Sequence, residues 1–242
     1  EADLCRQVAL VFTTSPGLLE KNRAFARDVP LASHGVDQAH FAQALDESTP
    51  IPPELAGIKH PVIGFFGLVQ DWIDTDLLAT IAERRPDWTV VVLGRALVDV
   101  SRLRALPNVR LIDRKPYAEL PKYCRAFDVG LCPFRINELT LHVNPIKLRE
   151  YVSAGLPVVS TDIPECRLNP AWTRIGRTPD EFVAQIERAL AEDSPAQRRA
   201  RSDAMRAATR ERKVRRGHPC LRRPGEGRVF RVCTTAGAGE PL

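Results

Sequence analysis

Between residues 62 and 192 the chain alternates two spacings of apolar residues. Val62 to Phe66, Thr89 to Leu93, Val109 to Ile112, Val129 to Cys132 and Val158 to Ser160 are short, mostly apolar runs rich in β-branched residues. Runs of this kind read as strands buried on both faces. Between them the apolar residues recur at helical spacing, which predicts helices from about Thr75 to Arg84, Asp99 to Ala105, Ala118 to Ala126 and Pro179 to Glu192. Strands that alternate with amphipathic helices build a parallel sheet with helices on both faces, an α/β fold whose crossovers are right-handed.

The flanks read differently. Val8 to Thr13 predicts a strand, Thr14-Ser15-Pro16-Gly17 a turn, and Leu18 to Ala26 a helix. Pro30 to Ser33 predicts a short extended piece closed by His34-Gly35-Val36-Asp37, and the proline-rich stretch Ser48 to Pro53 a linker. After Pro195 the composition turns Arg-rich, with a helix expected from Gln197 to Glu211. Beyond Arg215 there is Gly, Pro and Arg with scattered Cys and no periodicity, and disorder is expected. That last stretch resembles translation of GC-rich DNA in a shifted frame. The expected division is residues 1–50, residues 51–195 with the sheet, and residues 196–242 as a tail.

One segment, Asn144 to Thr161, combines a helix start, a helix stop and a strand. Pro145 suits a first helical turn and Asn144 before it is placed to cap. Gly155 and Pro157 end the helix, and Val158-Val159 begins the next strand. Lys147 and Glu150, three apart, share a helix face near the N-terminus, where free N–H groups and the helix dipole favour an anion. They read either as a solvated ion pair or as a site for a phosphate and a sugar hydroxyl.

Composition narrows the classes. The 242 residues carry a net charge of +5, yet residues 197–242 hold 13 of the Lys and Arg against 4 Asp and Glu, so the rest of the chain is mildly acidic. Nucleic acid is therefore not an expected partner of the body. No stretch approaches the roughly 20 apolar residues of a membrane span, and no signal pattern opens the sequence, so a cytoplasmic location is expected. The six cysteines form no CxxC pair and no zinc spacing with histidine; they read as reduced thiols, and no metal is expected.

In open parallel sheets ligands bind beyond the carboxyl ends of the strands. The loop after Phe66 begins with Gly67, which reads as a tight turn or as a close backbone approach to a phosphate. Arg95 follows the second strand, Arg114-Lys115-Pro116 the third, and the longer loop Pro133 to Glu138, with Arg135 and Asn137, the fourth. Taken singly, Arg95 and the Arg114–Pro116 turn read as surface features. Arg95, Arg135 and Lys147 converging on one edge would make a diphosphate site, with Glu150 accepting from ribose hydroxyls.

Leu120-Pro121-Lys122-Tyr123, the run Phe127 to Phe134 and the whole of Asn144 to Thr161 resemble the C-terminal half of GT-B glycosyltransferases of bacterial group 1 (family 4-like), similar to those of teichuronic acid biosynthesis. The resemblance covers roughly residues 8 to 195. It implies a Rossmann-like domain that holds a nucleotide-sugar donor, with Lys147 on donor phosphate, Glu150 on the ribose and Arg95 on the diphosphate. It implies no cofactor or metal, and an acceptor of unknown identity through which the protein associates peripherally with the inner membrane face. Residues 1–50 then resemble the end of an N-terminal domain and the interdomain segment, so the chain reads as a fragment lacking most of the acceptor site. Many relatives carry a second glutamate eight positions before the ribose-binding one; here that position is His142, and Glu138 is out of register. Catalytic residues are not identified.

The resulting expectation is a hexosyltransferase that moves a sugar from a nucleotide-diphosphate sugar to an acceptor in cell-surface polysaccharide or glycoconjugate synthesis. The alternatives are a catalytically silent nucleotide-sugar-binding fragment, a nucleotide-sugar epimerase of the same architecture, or a nucleic-acid-binding tail.

Overall fold

The computed structural model describes residues 1–209. Ahead of the sheet lie α1 (Ala2–Gln7), α2 (Pro16–Arg23) and α3 (Gln38–Ala42). The sheet region runs β1 (Val62–Phe66), α4 (Thr75–Arg84), β2 (Thr89–Leu93), α5 (Ser101–Arg104), β3 (Val109–Ile112), α6 (Leu120–Ala126), β4 (Val129–Cys132) and α7 (Glu138–Leu141). It continues through α8 (Ile146–Ser153), β5 (Val158–Ser160), α9 (Pro164–Arg167), β6 (Thr173–Ile175), α10 (Pro179–Glu192) and α11 (Pro195–Ala204).

The six strands form one parallel sheet in the order β3-β2-β1-β4-β5-β6. β1, β2, β4 and β5 are buried along their whole length, as their lack of alternation predicts, while the edge strands β3 and β6 are partly exposed. α4 packs on α5 and α10, whereas α8 packs on α3 and α11, and α3 on α6. Helices thus cover both faces of the sheet.

The helix starts are written in local chemistry. Ser15, Asp74, Thr178 and Ser194 each accept a hydrogen bond from the N–H three residues on, and Pro16, Pro179 and Pro195 occupy first turns, where a missing N–H costs nothing. α10 buries Phe182, Ile186 and Ala189, one stripe at helical spacing. One apolar core runs from Val36 and Phe41 through the strands to Met205.

Several expectations are corrected. Val8 to Thr13 is not a strand: Val11 and Thr13 donate to the carbonyls of Asp28 and Pro30, and one bridge joins Thr13 to Leu31. With only this partner the ladder does not propagate. Asn144 does not cap α8, which starts at Ile146 behind Pro145; its side chain is spent between Thr14 and Arg149. The segment from Tyr117 opens as a 3-10 turn before α6. β6, α7 and α9 go unforeseen because each is three or four residues of mixed polarity, with neither an apolar run nor room for a helical period. The helix expected over residues 197–211 begins at Pro195 and ends at Ala204, followed by a 3-10 turn; the expectations beyond residue 209 lie outside the described residues.

Candidate functional site

The strand order reverses between β1 and β4, so the crevice at their carboxyl ends is the switch point at which open α/β sheets take ligands. β1 pairs with β2 through five residues as far as Phe66–Leu93, but its register with β4 is limited to Ile63–Val129 and Gly64–Gly130. Beyond those pairs β1 and β4 are not in register.

α8 delivers two charged side chains to this crevice. Lys147 Nζ lies 3.1 Å from Glu150 Oε2 and 4.8 Å from the centre of the Phe66 ring, over its face. The Glu150 side chain is 4% exposed and that of Lys147 21%, so the pair is not the solvated surface pair that spacing alone allows. Glu150 Oε2 is shielded from solvent and makes no hydrogen bond. A buried carboxylate oxygen with unused acceptor capacity is costly unless something completes it. The carboxylate's field reaches its surroundings: burial raises the Cys124 thiol and the Tyr151 phenol well above their ordinary ranges, and Glu150 adds to both shifts.

The two glycines at the strand ends shape the neighbouring wall. Gly94 sits at φ +144, and a Cβ there would fall 1.9 Å from the Gly67 carbonyl oxygen. Gly67 sits at φ +148, where a Cβ would meet Lys147 Cε at 3.3 Å. The loops that carry them are laced together by Val69 N–H to the Arg95 carbonyl and Leu97 N–H to the Val69 carbonyl, at 3.0 and 2.8 Å. Arg95 is therefore held at the same edge by its backbone, with its side chain exposed.

Arg135, Asn137 and Lys115 have protein partners. Arg135 pairs with Asp76 at 3.0 Å, and Asn137 caps α7 in a reciprocal box with Thr140. Lys115 pairs with Glu54 at 2.7 Å and is drawn away from the rim. His142 lies against Gly17, and its carbonyl accepts from Ser15 Oγ at 2.6 Å. Glu138 begins α7 and is exposed.

Three contributors escape sequence reasoning. Phe66 reads as strand core, yet its ring is the floor under the Lys147 ammonium. Arg149 has no role assigned from the sequence, yet it bridges Asn144 and Glu165 at 2.5 and 2.9 Å, bracing the start of α8. Tyr151 falls among the positions that mark α8 by helical spacing, yet its Oη accepts the Phe66 N–H at 2.9 Å. Gly130 is a signal for the last: a Cβ there would lie 2.6 Å from Tyr151 Cγ, so a glycine within an apolar strand marks a ring packed on the backbone. Cys5, Cys124, Cys132 and Cys166 are buried and form no disulfide, in keeping with core thiols. No helix among the described residues is long and apolar enough to cross a membrane.

Comparison with known proteins places this arrangement. Residues 60–192 match the family described as glycosyl transferases group 1. Over 185 residues the chain is 29% identical to the putative teichuronic acid biosynthesis glycosyltransferase TuaH of Bacillus subtilis (strain 168), covering 72% of this chain but 45% of that relative. The chain thus spans about half the length of that protein. Among solved structures, sucrose-phosphate synthase of Thermosynechococcus elongatus superposes with a TM-score of 0.66 at 15% identity, covering 91% of this chain and 59% of that one. Anabaena HepE in complex with UDP gives 0.64 at 14% identity, covering 89% and 64%. At these identities the likeness is one of fold.

Proposed function

Because this chain belongs to the group 1 glycosyl transferases, we propose that it holds the nucleotide-diphosphate sugar of a hexosyl transfer at the β1/β4 crevice. Lys147 and Arg95 meet the diphosphate, Gly67 lets the loop after β1 approach it, and Glu150 accepts from the ribose hydroxyls. The observation that carries this reading is the Lys147–Glu150 pair: buried, at the switch point, with Glu150 Oε2 lacking a hydrogen bond. The donor-bound state would draw the ammonium toward phosphate and give the carboxylate its missing donor.

In the transfer, negative charge grows on the departing diphosphate, and preorganised cations stabilise that charge more than they stabilise the ground state. Lys147 and Arg95 supply this without a metal or cofactor. Arg135 and Asn137, engaged with Asp76 and Thr140, shape the rim loop. Residues 1–50 read as the end of an acceptor-side domain and its connecting segment, 51–195 as the donor domain and 196–242 as a tail. By analogy with TuaH, named for teichuronic acid biosynthesis, the acceptor belongs to cell-surface polysaccharide synthesis. The location is then cytoplasmic, with peripheral attachment to the inner membrane face through that acceptor.

Calorimetric titration of the full chain with UDP- and GDP-sugars, followed by an assay of sugar release and transfer, tests the reading. Binding is expected, weakened at least about tenfold in Lys147→Ala and in Glu150→Ala. Absence of binding by both nucleotides would overturn the donor-site assignment, and turnover would establish that the residues present suffice for transfer.

A further inference from the structure

A side chain of α8 pairs with the end of β1. Past Gly64–Gly130, where β1 and β4 have no further register, the Phe66 N–H donates at 2.9 Å to the Tyr151 phenol oxygen. Tyr151 is fully buried, its ring lies on the backbone of Gly130, and it meets the Phe66 ring edge to face at 4.8 Å between centroids. The Lys147 ammonium lies over the same Phe66 ring, 4.8 Å from its centroid. Contacts thus run from the Gly130 backbone to the Tyr151 ring, from Tyr151 to Phe66, and from the Phe66 ring to the Lys147 ammonium.

We infer that Tyr151 is a positioning residue for Lys147: its phenol takes the end of β1 in place of a strand and fixes the Phe66 ring as the shelf on which the phosphate-binding ammonium rests. A cation over a ring face is held by the ring quadrupole while its N–H donors stay available to a second partner. A flexible lysine would otherwise spend rotamer entropy on each binding event, and a shelf lowers that loss. The phenol serves better than a phenylalanine would, because the Phe66 N–H is buried and has to be paired. Tyr151 touches no ligand in this arrangement and acts only through Phe66.

The inference rests on the donor-site reading, so its test separates the two. The full chain, Tyr151→Phe and Phe66→Leu are each titrated with UDP, with GDP and with the free nucleosides uridine and guanosine. Tyr151→Phe is expected to weaken the preferred diphosphate about tenfold while leaving its nucleoside within about twofold, because only the ammonium end of the site is released. Phe66→Leu, which keeps the backbone bond to Oη but removes the ring face, is expected to do the same. A purely structural role would weaken nucleoside and diphosphate alike or leave both unchanged, and either result overturns the inference. Failure of the unsubstituted chain to bind either diphosphate overturns the donor site itself. Should both variants fail to fold, the NMR shifts of the Lys147 ε-methylene in the unsubstituted chain decide: an upfield ring-current displacement is expected, and its absence overturns the shelf.

Discussion

Glu54, Tyr123 and Lys115 show how far single side chains reach beyond the pattern. Tyr123 Oη donates to Glu54 Oε1 at 2.6 Å and Lys115 Nζ pairs with the same oxygen at 2.7 Å, tying the 3-10 turn of residues 53–55 to α6. Hydrogen bonds from Lys115 and Tyr123 hold the Glu54 carboxyl at about 2, while burial and Glu54 push the Tyr123 phenol to about 12. The unfolded Glu54 takes its proton near its ordinary 4.5 and the folded one only near 2, so this contribution is present above pH 4.5 and is lost as pH falls through that window. Glu54 is exposed, and water screening keeps the effect modest. Glu54→Gln should flatten the melting temperature against pH between about 4.5 and 2, with its modest loss of stability seen in full at neutral pH and vanishing below about pH 2. Arg149 is the stronger case, since its side chain and that of Glu165 are 12% and 7% exposed. Arg149→Met strands a buried carboxylate and should cost about 3 kcal/mol in urea unfolding. Neither partnership is legible in the sequence: the partners of Tyr123 and Arg149 lie on other elements, and periodicity reports only which face is apolar.

At the scale of elements, apolar runs and long periodic segments are legible, and short pieces of mixed polarity are not. β1, β2, β3, β4, β5 and α10 fall at the residues their apolar spacing predicts, because burial on a sheet demands the run that the pattern records. Asn144 does not cap α8 because its side chain engages the Thr14 carbonyl and the Arg149 guanidinium instead of a first-turn N–H. Glycines divide the same way. Gly57 adopts φ +69 with open space around it, so Gly57→Ala should cost only about 1 kcal/mol of left-handed backbone strain. Gly94→Ala combines the same kind of strain with a Cβ 1.9 Å from the Gly67 carbonyl oxygen. It should cost about 3 kcal/mol in chemical denaturation and, by displacing Gly67 from beside Lys147, should also weaken nucleotide-diphosphate binding.

Across the whole molecule, the two flanks of the sheet region close on α8. Gln38 of α3 donates to Ser202 Oγ at 3.0 Å, Ser202 donates to the Ser153 carbonyl at 2.6 Å, and a bridge joins Val36 to Thr209. Arg201 donates to the Gly155 carbonyl at 2.8 Å and pairs with Asp193. Ser202→Ala leaves the Gln38 amide without that hydroxyl acceptor and the Ser153 carbonyl without this donor, and should cost about 1 to 2 kcal/mol. Hydrogen exchange should show the loss concentrated in α11 and the end of α8. The fold class was legible because strand and helix patterns alternate. The clamp was not, since its residues are polar, single and up to 164 positions apart.

The reversal of strand order after β3 also makes the sheet two contiguous three-stranded halves, β1 to β3 and β4 to β6, whose strands pair with one another only where β1 lies beside β4. Phe66 belongs to one half and Lys147, Glu150 and Tyr151 to the other. A polypeptide divided in the turn between Lys115 and Pro116 would therefore carry half a crevice on each piece. Nucleotide-diphosphate affinity would appear only on mixing the pieces and would rise with their concentration, so that the ligand reports the closing of a seam within the protein itself.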